Sequence, residues 1–211
     1  DSASIDELRN YLFTLKAANR EQEGVFRYYI DRVFSLKGIG NVVTGTVIEG
    51  SVTKNEKLFN YDAGKEVQVR SVQSHDKFVD RAGVSSRVAL NLTGIELNDL
   101  KKGQLLSKKG FFRGFREIDA IIFARELAHG ENVTFCVGAK ALVLSEKEGG
   151  IFATFKFERD MFLKFDEPFV LIANGRVIGG GRVLNAVSEP MKKSSKISFL
   201  NALLKKDFVS A

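Results

Sequence analysis

Between Phe26 and Gly50 apolar and polar residues alternate. Phe26, Tyr28, Ile30, Phe34 and Leu36 share one parity and Arg27, Asp31, Val33 and Ser35 the other, the period of a half-buried strand. Arg32 falls on the apolar parity, where an unpaired guanidinium is costly, so it must reach solvent or meet an anion. Lys37-Gly38-Ile39-Gly40-Asn41 supplies residues that tolerate positive φ, and a β-branched run from Val42 to Ile48 follows. The segment predicts a β-hairpin.

Upstream, Ile5, Leu8, Leu12 and Leu15 recur at helical spacing behind Ser4 and Glu7, which reads as a helix with a capping box and an apolar stripe. Glu21-Gln22-Glu23-Gly24 reads as linker. From Val25 to Ser107 only strand and turn patterns occur, with strands expected at Val42–Ile48, Lys57–Tyr61, Glu66–Gln73 and Arg87–Leu92, at the spacing of small barrels and sandwiches. The turn phrases around Asn55 and Gly103 each place a residue tolerant of left-handed backbone after a lysine. Lys108-Lys109-Gly110 marks a boundary. Strands then resume at Glu117–Phe123, Val133–Val137, Ala141–Leu144, Ile151–Phe157, Phe169–Ala173 and Arg182–Leu184. In the fourth of these Ile151, Ala153, Phe155 and Phe157 face a core, and Phe152, Thr154, Lys156 and Glu158 face mostly water. The many phenylalanines follow this alternation, which favours core over base stacking. Behind Ser194 and Ser195, Ile197, Leu200 and Leu204 predict a second helix with nothing following to bury it.

The expected organisation is thus all-β: two consecutive domains, barrels or sandwiches, over residues 24–108 and 109–190, flanked by a helix and linker over 1–23 and a basic helix over 191–211. Both terminal helices look like pieces of a longer protein. A length of 211 residues accommodates two cores, and 44% hydrophobic with 27% charged residues is globular composition. The absence of a long apolar run argues against a membrane span, and a single cysteine, Cys136, is compatible with a cytoplasmic location. That cysteine sits in a strand-like run and reads as an inert buried thiol. The net charge of +6 is uneven: residues 24–108 carry thirteen basic and nine acidic groups, 191–211 five and one, and 109–190 eleven of each. A phosphate-bearing partner fits this distribution, as does an ordinary solvated surface.

Several chemistries lack their residues. There is no phosphate-binding loop of the Gly-x-x-x-x-Gly-Lys-Ser/Thr type, and Gly38-Ile39-Gly40 lacks the helix and third glycine of a dinucleotide site. Gly179-Gly180-Gly181 lies between strand-like runs, where glycines let backbones approach. His75 and His129 are solitary, so neither a metal site nor a hydrolytic triad is expected. No catalytic constellation is found, so this chain by itself is not expected to be an enzyme.

Ile30-Asp31-Arg32-Val33-Phe34, Lys37-Gly38-Ile39-Gly40-Asn41-Val42-Val43-Thr44-Gly45-Thr46-Val47, Arg87-Val88-Ala89-Leu90-Asn91-Leu92 and Ile178-Gly179-Gly180-Gly181 together resemble the selenocysteine-specific translation elongation factors (SelB). The Val-Val-Thr-Gly phrase is shared by translational GTPases generally, and the Ile-Asp-Arg-Val-Phe-Ser opening together with Arg-Val-Ala-Leu-Asn-Leu is much more specific. The resemblance covers about residues 25–186. Asn55 stands where the family generally has glycine, and Val177 where threonine is usual.

The resemblance implies two barrels like those of elongation factor Tu and a parent whose GTPase domain, with GTP and magnesium, precedes residues 1–16. RNA-binding domains for a messenger RNA hairpin would follow residues 192–211. It implies selenocysteinyl-tRNA as cargo and the ribosome as destination. It also implies Asp31, Arg32 and Arg87 as the selenocysteinyl-binding residues, the two guanidiniums recognising a selenolate. Periodicity does not bring Arg32 and Arg87 together; a bulge or a packing surface is needed. The alternatives are the barrel pair of a general aminoacyl-tRNA carrier or of the GTP-dependent subunit of ATP sulfurylase, and a structural β-module that binds protein.

Overall fold

A computed structural model of the chain describes residues 2–15, 24–123, 132–137, 140–146, 152–173, 175–186 and 191–206. Helix α1 (Ser2–Thr14) is followed by nine strands: β1 (Arg27–Leu36), β2 (Gly40–Glu49), β3 (Ser51–Thr53), β4 (Lys57–Asn60), β5 (Lys65–Ser74), β6 (Lys77–Val79), β7 (Arg81–Gly83), β8 (Arg87–Thr93) and β9 (Leu105–Ser107). Six further strands are β10 (Phe115–Ile122), β11 (Asn132–Val137), β12 (Lys140–Glu146), β13 (Phe152–Met161), β14 (Pro168–Ala173) and β15 (Arg176–Asn185), and helix α2 (Lys193–Leu204) ends the order.

The first barrel is an antiparallel sheet in the order β4-β9-β1-β2-β8-β5-β6, and β4 also pairs with β5, so the sheet returns on itself. Its core is the inward parity of these strands, among them Tyr28, Ile30, Val43, Val47, Leu58, Val69, Leu90 and Leu106. The second barrel closes in the order β10-β13-β12-β11-β14-β15 around Phe135, Phe155, Phe157 and Phe169, with the Phe135 and Phe169 rings stacked at 4.1 Å. The expected hairpin and all predicted strands are present, most of them extended by a residue or more. β3, β6, β7 and β9 escape the periodicity because three residues are too few to alternate. Asn55 (φ 67°) and Gly103 (φ 88°) both adopt the left-handed backbone expected of their turns. Gly180 and Gly181 admit close strands as read: a Cβ on Gly181 would stand 2.0 Å from the Ile121 carbonyl oxygen, and one on Gly180 2.5 Å from that of Phe169. The side chain of Cys136, all of His129 and linker residues 21–23 lie outside the described residues.

Three expectations need correction. Helix α1 begins at Ser2, so Ser4 lies within it and not at its cap, and its apolar stripe is exposed. Helix α2 docks on barrel 2 where no partner was expected: Leu200 and Leu203 pack on Ile121 and Leu184, with Phe152 and Phe199 beside them, while Ile197 and Leu204 of the expected stripe are exposed. It also covers Thr154, assigned above to the water-facing parity of β13. The Thr154 hydroxyl donates to Asp119 Oδ1 at 2.6 Å, and Lys196 of α2 reaches the same buried carboxylate at 2.7 Å. The third correction is Arg27, placed by parity on the polar face of β1 but in fact buried between the barrels. Its Nη2 donates to both oxygens of Glu167 and to Tyr29 Oη at 2.6 Å. Lys164, from the same loop as Glu167, pairs across the interface with Glu49. Tyr61 completes the junction. Its hydroxyl accepts the N–H groups of Phe111 and Phe112 (2.9 and 3.2 Å) and donates to the Lys108 carbonyl at 2.6 Å, while its ring meets Phe112 and Phe162.

Candidate functional site

β1 changes character halfway along. Up to Ile30 it is flanked by β2 on one side and β9 on the other; Ile30 donates its N–H to Gln104 O at 3.0 Å and accepts from Gly103 N at 2.7 Å. Beyond that point the β9 side offers no partner and β1 runs on as one arm of the hairpin with β2. The pairing register slips there: Ile30 faces Gly45 and Arg32 faces Thr44, leaving Asp31 as an extra residue. Such bulges gather at sheet edges, where one ladder ends. The slip inverts the parity of all that follows, so Val33 packs on the core whereas Phe34 and Leu36 are exposed. It also moves Arg32 off the core face, which answers the difficulty its position posed.

Gly45 makes room for this arrangement. A Cβ there would lie 2.2 Å from the Tyr29 carbonyl oxygen and 2.7 Å from Tyr28 Cζ. The buried Tyr28 hydroxyl, beneath the bulge, lies within hydrogen-bonding distance of the carbonyls of Val43 (3.2 Å) and Val88 (3.1 Å). Burial, followed by the Asp31 carboxylate, pushes its pKa well above the phenolic range, so it stays neutral.

Asp31, Arg32 and Arg87 converge on the outer surface of barrel 1, although β2 separates the strands that carry them. Arg87 Nη2 donates to Asp31 Oδ2 at 2.8 Å, and Arg32 Nε stands 4.0 Å from the same oxygen. A third cation arrives from the turn before β9, which sequence reasoning missed: Lys102 Nζ lies 3.9 Å from Asp31 Oδ1. Its only trace in the sequence was the lysine beside Gly103 in a turn phrase read as ordinary. One carboxylate among three cations leaves an excess of two positive charges. The side chains of Arg32 (66%), Arg87 (60%) and Lys102 (67%) are open to solvent and Asp31 (35%) is half-buried, so the cluster is accessible. Thr44, opposite Arg32, has a buried hydroxyl without a hydrogen-bond partner.

Further along β8, on the same outward parity as Arg87, Asn91 is buried. It donates to the Ile39 carbonyl at 2.9 Å, while its Oδ1 has no partner. Beside it is an open hollow of about 690 Å³ lined by Ile39, Lys54, Arg70 and the exposed Phe78. Four residues of strand put this hollow roughly 13 Å from Arg87. The surface therefore offers a cationic cluster for a small anion and, roughly 13 Å away along β8, an exposed aromatic ring and two cations. No group of residues able to hold a metal ion occurs among the described residues. No described helix is long and apolar enough to cross a membrane.

Residues 40–107 match the family model of elongation factor Tu domain 2. The chain is 28% identical over 208 residues to the selenocysteine-specific elongation factor of Haemophilus influenzae, across 92% of its own length and 33% of the relative's. It is 36% identical over 107 residues to that of Desulfomicrobium baculatum, covering 50% of this chain and 17% of that one. The crystal structure of a bacterial selenocysteine-specific elongation factor, EF-Sec, superposes with a TM-score of 0.83 at 22% identity, over 97% of this chain and 35% of that one. The chain thus spans about a third of the length of the Haemophilus relative.

Proposed function

We propose that this chain, whose residues 40–107 match elongation factor Tu domain 2 and which resembles selenocysteine-specific elongation factors across both barrels, holds the aminoacyl end of selenocysteinyl-tRNA at the Asp31 bulge. The observation that carries the reading is the meeting of Arg32, Arg87 and Lys102 around one carboxylate. A selenol is more acidic than a thiol, whose reference pKa is about 8.5, so near pH 7 selenocysteine is largely anionic where serine is neutral. Asp31 fixes Arg87 and leaves the remaining N–H groups of both guanidiniums for the selenolate. A charge-assisted contact shielded from water is worth about 1.5–3 kcal/mol, an order of magnitude or more in affinity. Exposed as it is here, the cluster would deliver less, and full discrimination requires the bound aminoacyl end and the parent's GTPase domain to exclude water. The terminal nucleotide would run along β8 toward Asn91, Phe78 and Arg70, and remaining lysines would meet backbone phosphates without reading sequence.

GTP and its magnesium ion would belong to the parent's GTPase domain, and delivery to the ribosome and to a messenger RNA hairpin would belong to the whole factor. The deciding measurement is equilibrium binding by the full-length protein carrying Arg87→Ala. Affinity for selenocysteinyl-tRNA falls at least about tenfold, whereas affinity for seryl-tRNA stays within about twofold. Equal losses for both would reduce the site to a general phosphate or aminoacyl contact.

A further inference from the structure

Arg32, Arg87 and Lys102 come from three separate parts of barrel 1, and among the described residues the one acid that pairs with any of them is Asp31. Its carboxylate is engaged on both oxygens, Oδ2 by the two guanidiniums and Oδ1 by Lys102. Asp31 therefore occupies the middle of the cluster. Backbone puts it there. As the extra residue of the bulge it has no partner in β2, and the hydrogen bonds of Ile30 with Gly103 and Gln104 bring the turn that carries Lys102 alongside it.

Three clustered cations open to solvent are a ready site for a phosphate, and arginine favours phosphate because its fork of N–H groups binds two oxygens at once. Asp31 interferes with that mode of binding. Its Oδ2 accepts from Arg87 Nη2 at 2.8 Å and stands 4.0 Å from Arg32 Nε, so one carboxylate lies against both guanidiniums. A phosphate reaching across them would bring its two charged oxygens beside two more of the same sign. At about 4 Å such repulsion amounts to roughly fivefold in affinity even in water, and to more where solvent is displaced. An anion with its charge on one atom needs a single N–H from each guanidinium and can keep to the side away from the carboxylate.

We propose that Asp31 is a specificity-determining residue that closes the cluster to backbone phosphates while leaving it open to a single-atom anion. A phosphate lodged there would hold a tRNA with its aminoacyl end out of place, so the functional consequence rests on the cluster being the cargo site. The exclusion itself is testable without cargo. The whole chain, natural and Asp31→Ala, is titrated at low salt with two monoanions, dimethyl phosphate as a stand-in for the backbone and bromide, each followed by the guanidinium NMR signals of Arg32 and Arg87. In the variant dimethyl phosphate binds about fivefold tighter or more, and bromide gains less than about half as much. Glu66→Gln removes an exposed carboxylate, paired with Lys57 at 3.5 Å, from the end of β5 remote from Arg87, and changes neither affinity beyond about twofold.

Unchanged phosphate affinity in a folded Asp31→Ala chain overturns the proposal. So does an equal gain for both anions, or the same gain in Glu66→Gln, since the carboxylate would then act through net charge alone. If Asp31→Ala does not fold, Asp31→Asn, which keeps the size of the side chain, is judged by the same comparison. Failure of the cargo reading is separate: it appears as equal losses for both tRNAs in Arg87→Ala and leaves the titrations standing.

Discussion

At the scale of single residues, the position least replaceable for the candidate site is one that touches no ligand. Gly45 lies opposite the bulge, and any side chain there meets the Tyr29 carbonyl, which is backbone and cannot rotate away. Gly45→Ala therefore has to part β1 from β2 or push the Tyr28 ring out of its seat. Overpacking of this kind costs about 1–3 kcal/mol, read as a lowered urea midpoint for barrel 1. A midpoint equal to that of the natural chain would mean the strands have slack there. The glycine was visible within Val-Val-Thr-Gly, but nothing local says that a tyrosine ring lies over it. For Arg27 the sequence pointed the wrong way: period-two alternation sorts residues into two faces, and it does not say that the second face of a strand is covered by another barrel.

At the scale of elements, α2 shows how an amphipathic stretch can be mistaken for an unpartnered one. Of the expected stripe only Leu200 docks, joined by Leu203, while Ile197 and Leu204 are exposed; the surface that receives the helix, Ile121, Leu184 and Phe152, comes from the outer parity of β10, β15 and β13. The docking also depends on charge. Asp119 is buried and is held by Lys196 and Thr154, with Asn185 at 3.3 Å from its other oxygen. Lys196→Met removes the cation and leaves the carboxylate buried without its counter-charge, a loss of about 3–5 kcal/mol. Helix α2 should then detach: its amides exchange quickly while those of β10 and β15 stay protected. A helix that remains protected in this variant would show that Leu200 and Leu203 suffice to hold it.

At the scale of the whole molecule, the junction between barrels is built to resist hinging. Two ion pairs, one of them buried, cross it, and Tyr61 holds the connecting segment by three hydrogen bonds. Tyr61→Phe keeps the ring contacts but strips the acceptor from two backbone N–H groups and the donor from the Lys108 carbonyl. Trypsin cleavage after Lys108 and Lys109 should accelerate about threefold or more, since cleavage requires local opening of the segment. An unchanged rate would place the rigidity in the ion pairs alone.

Alternation, turn residues and spacing in the sequence determined that the chain is two all-β domains between two helices, and the motifs that resemble SelB implied that these are barrels and marked Asp31, Arg32 and Arg87 as residues to watch. These properties are legible because each depends on neighbours in the chain: the period of a strand and the φ of a turn are local. Only the tertiary structure decided that these three side chains meet, that Lys102 joins them, and that Arg27 and Lys196 turn inward. Each of those outcomes depends on which distant strand or loop supplies the second face, and a bulge of one residue is enough to reverse what parity alone would say.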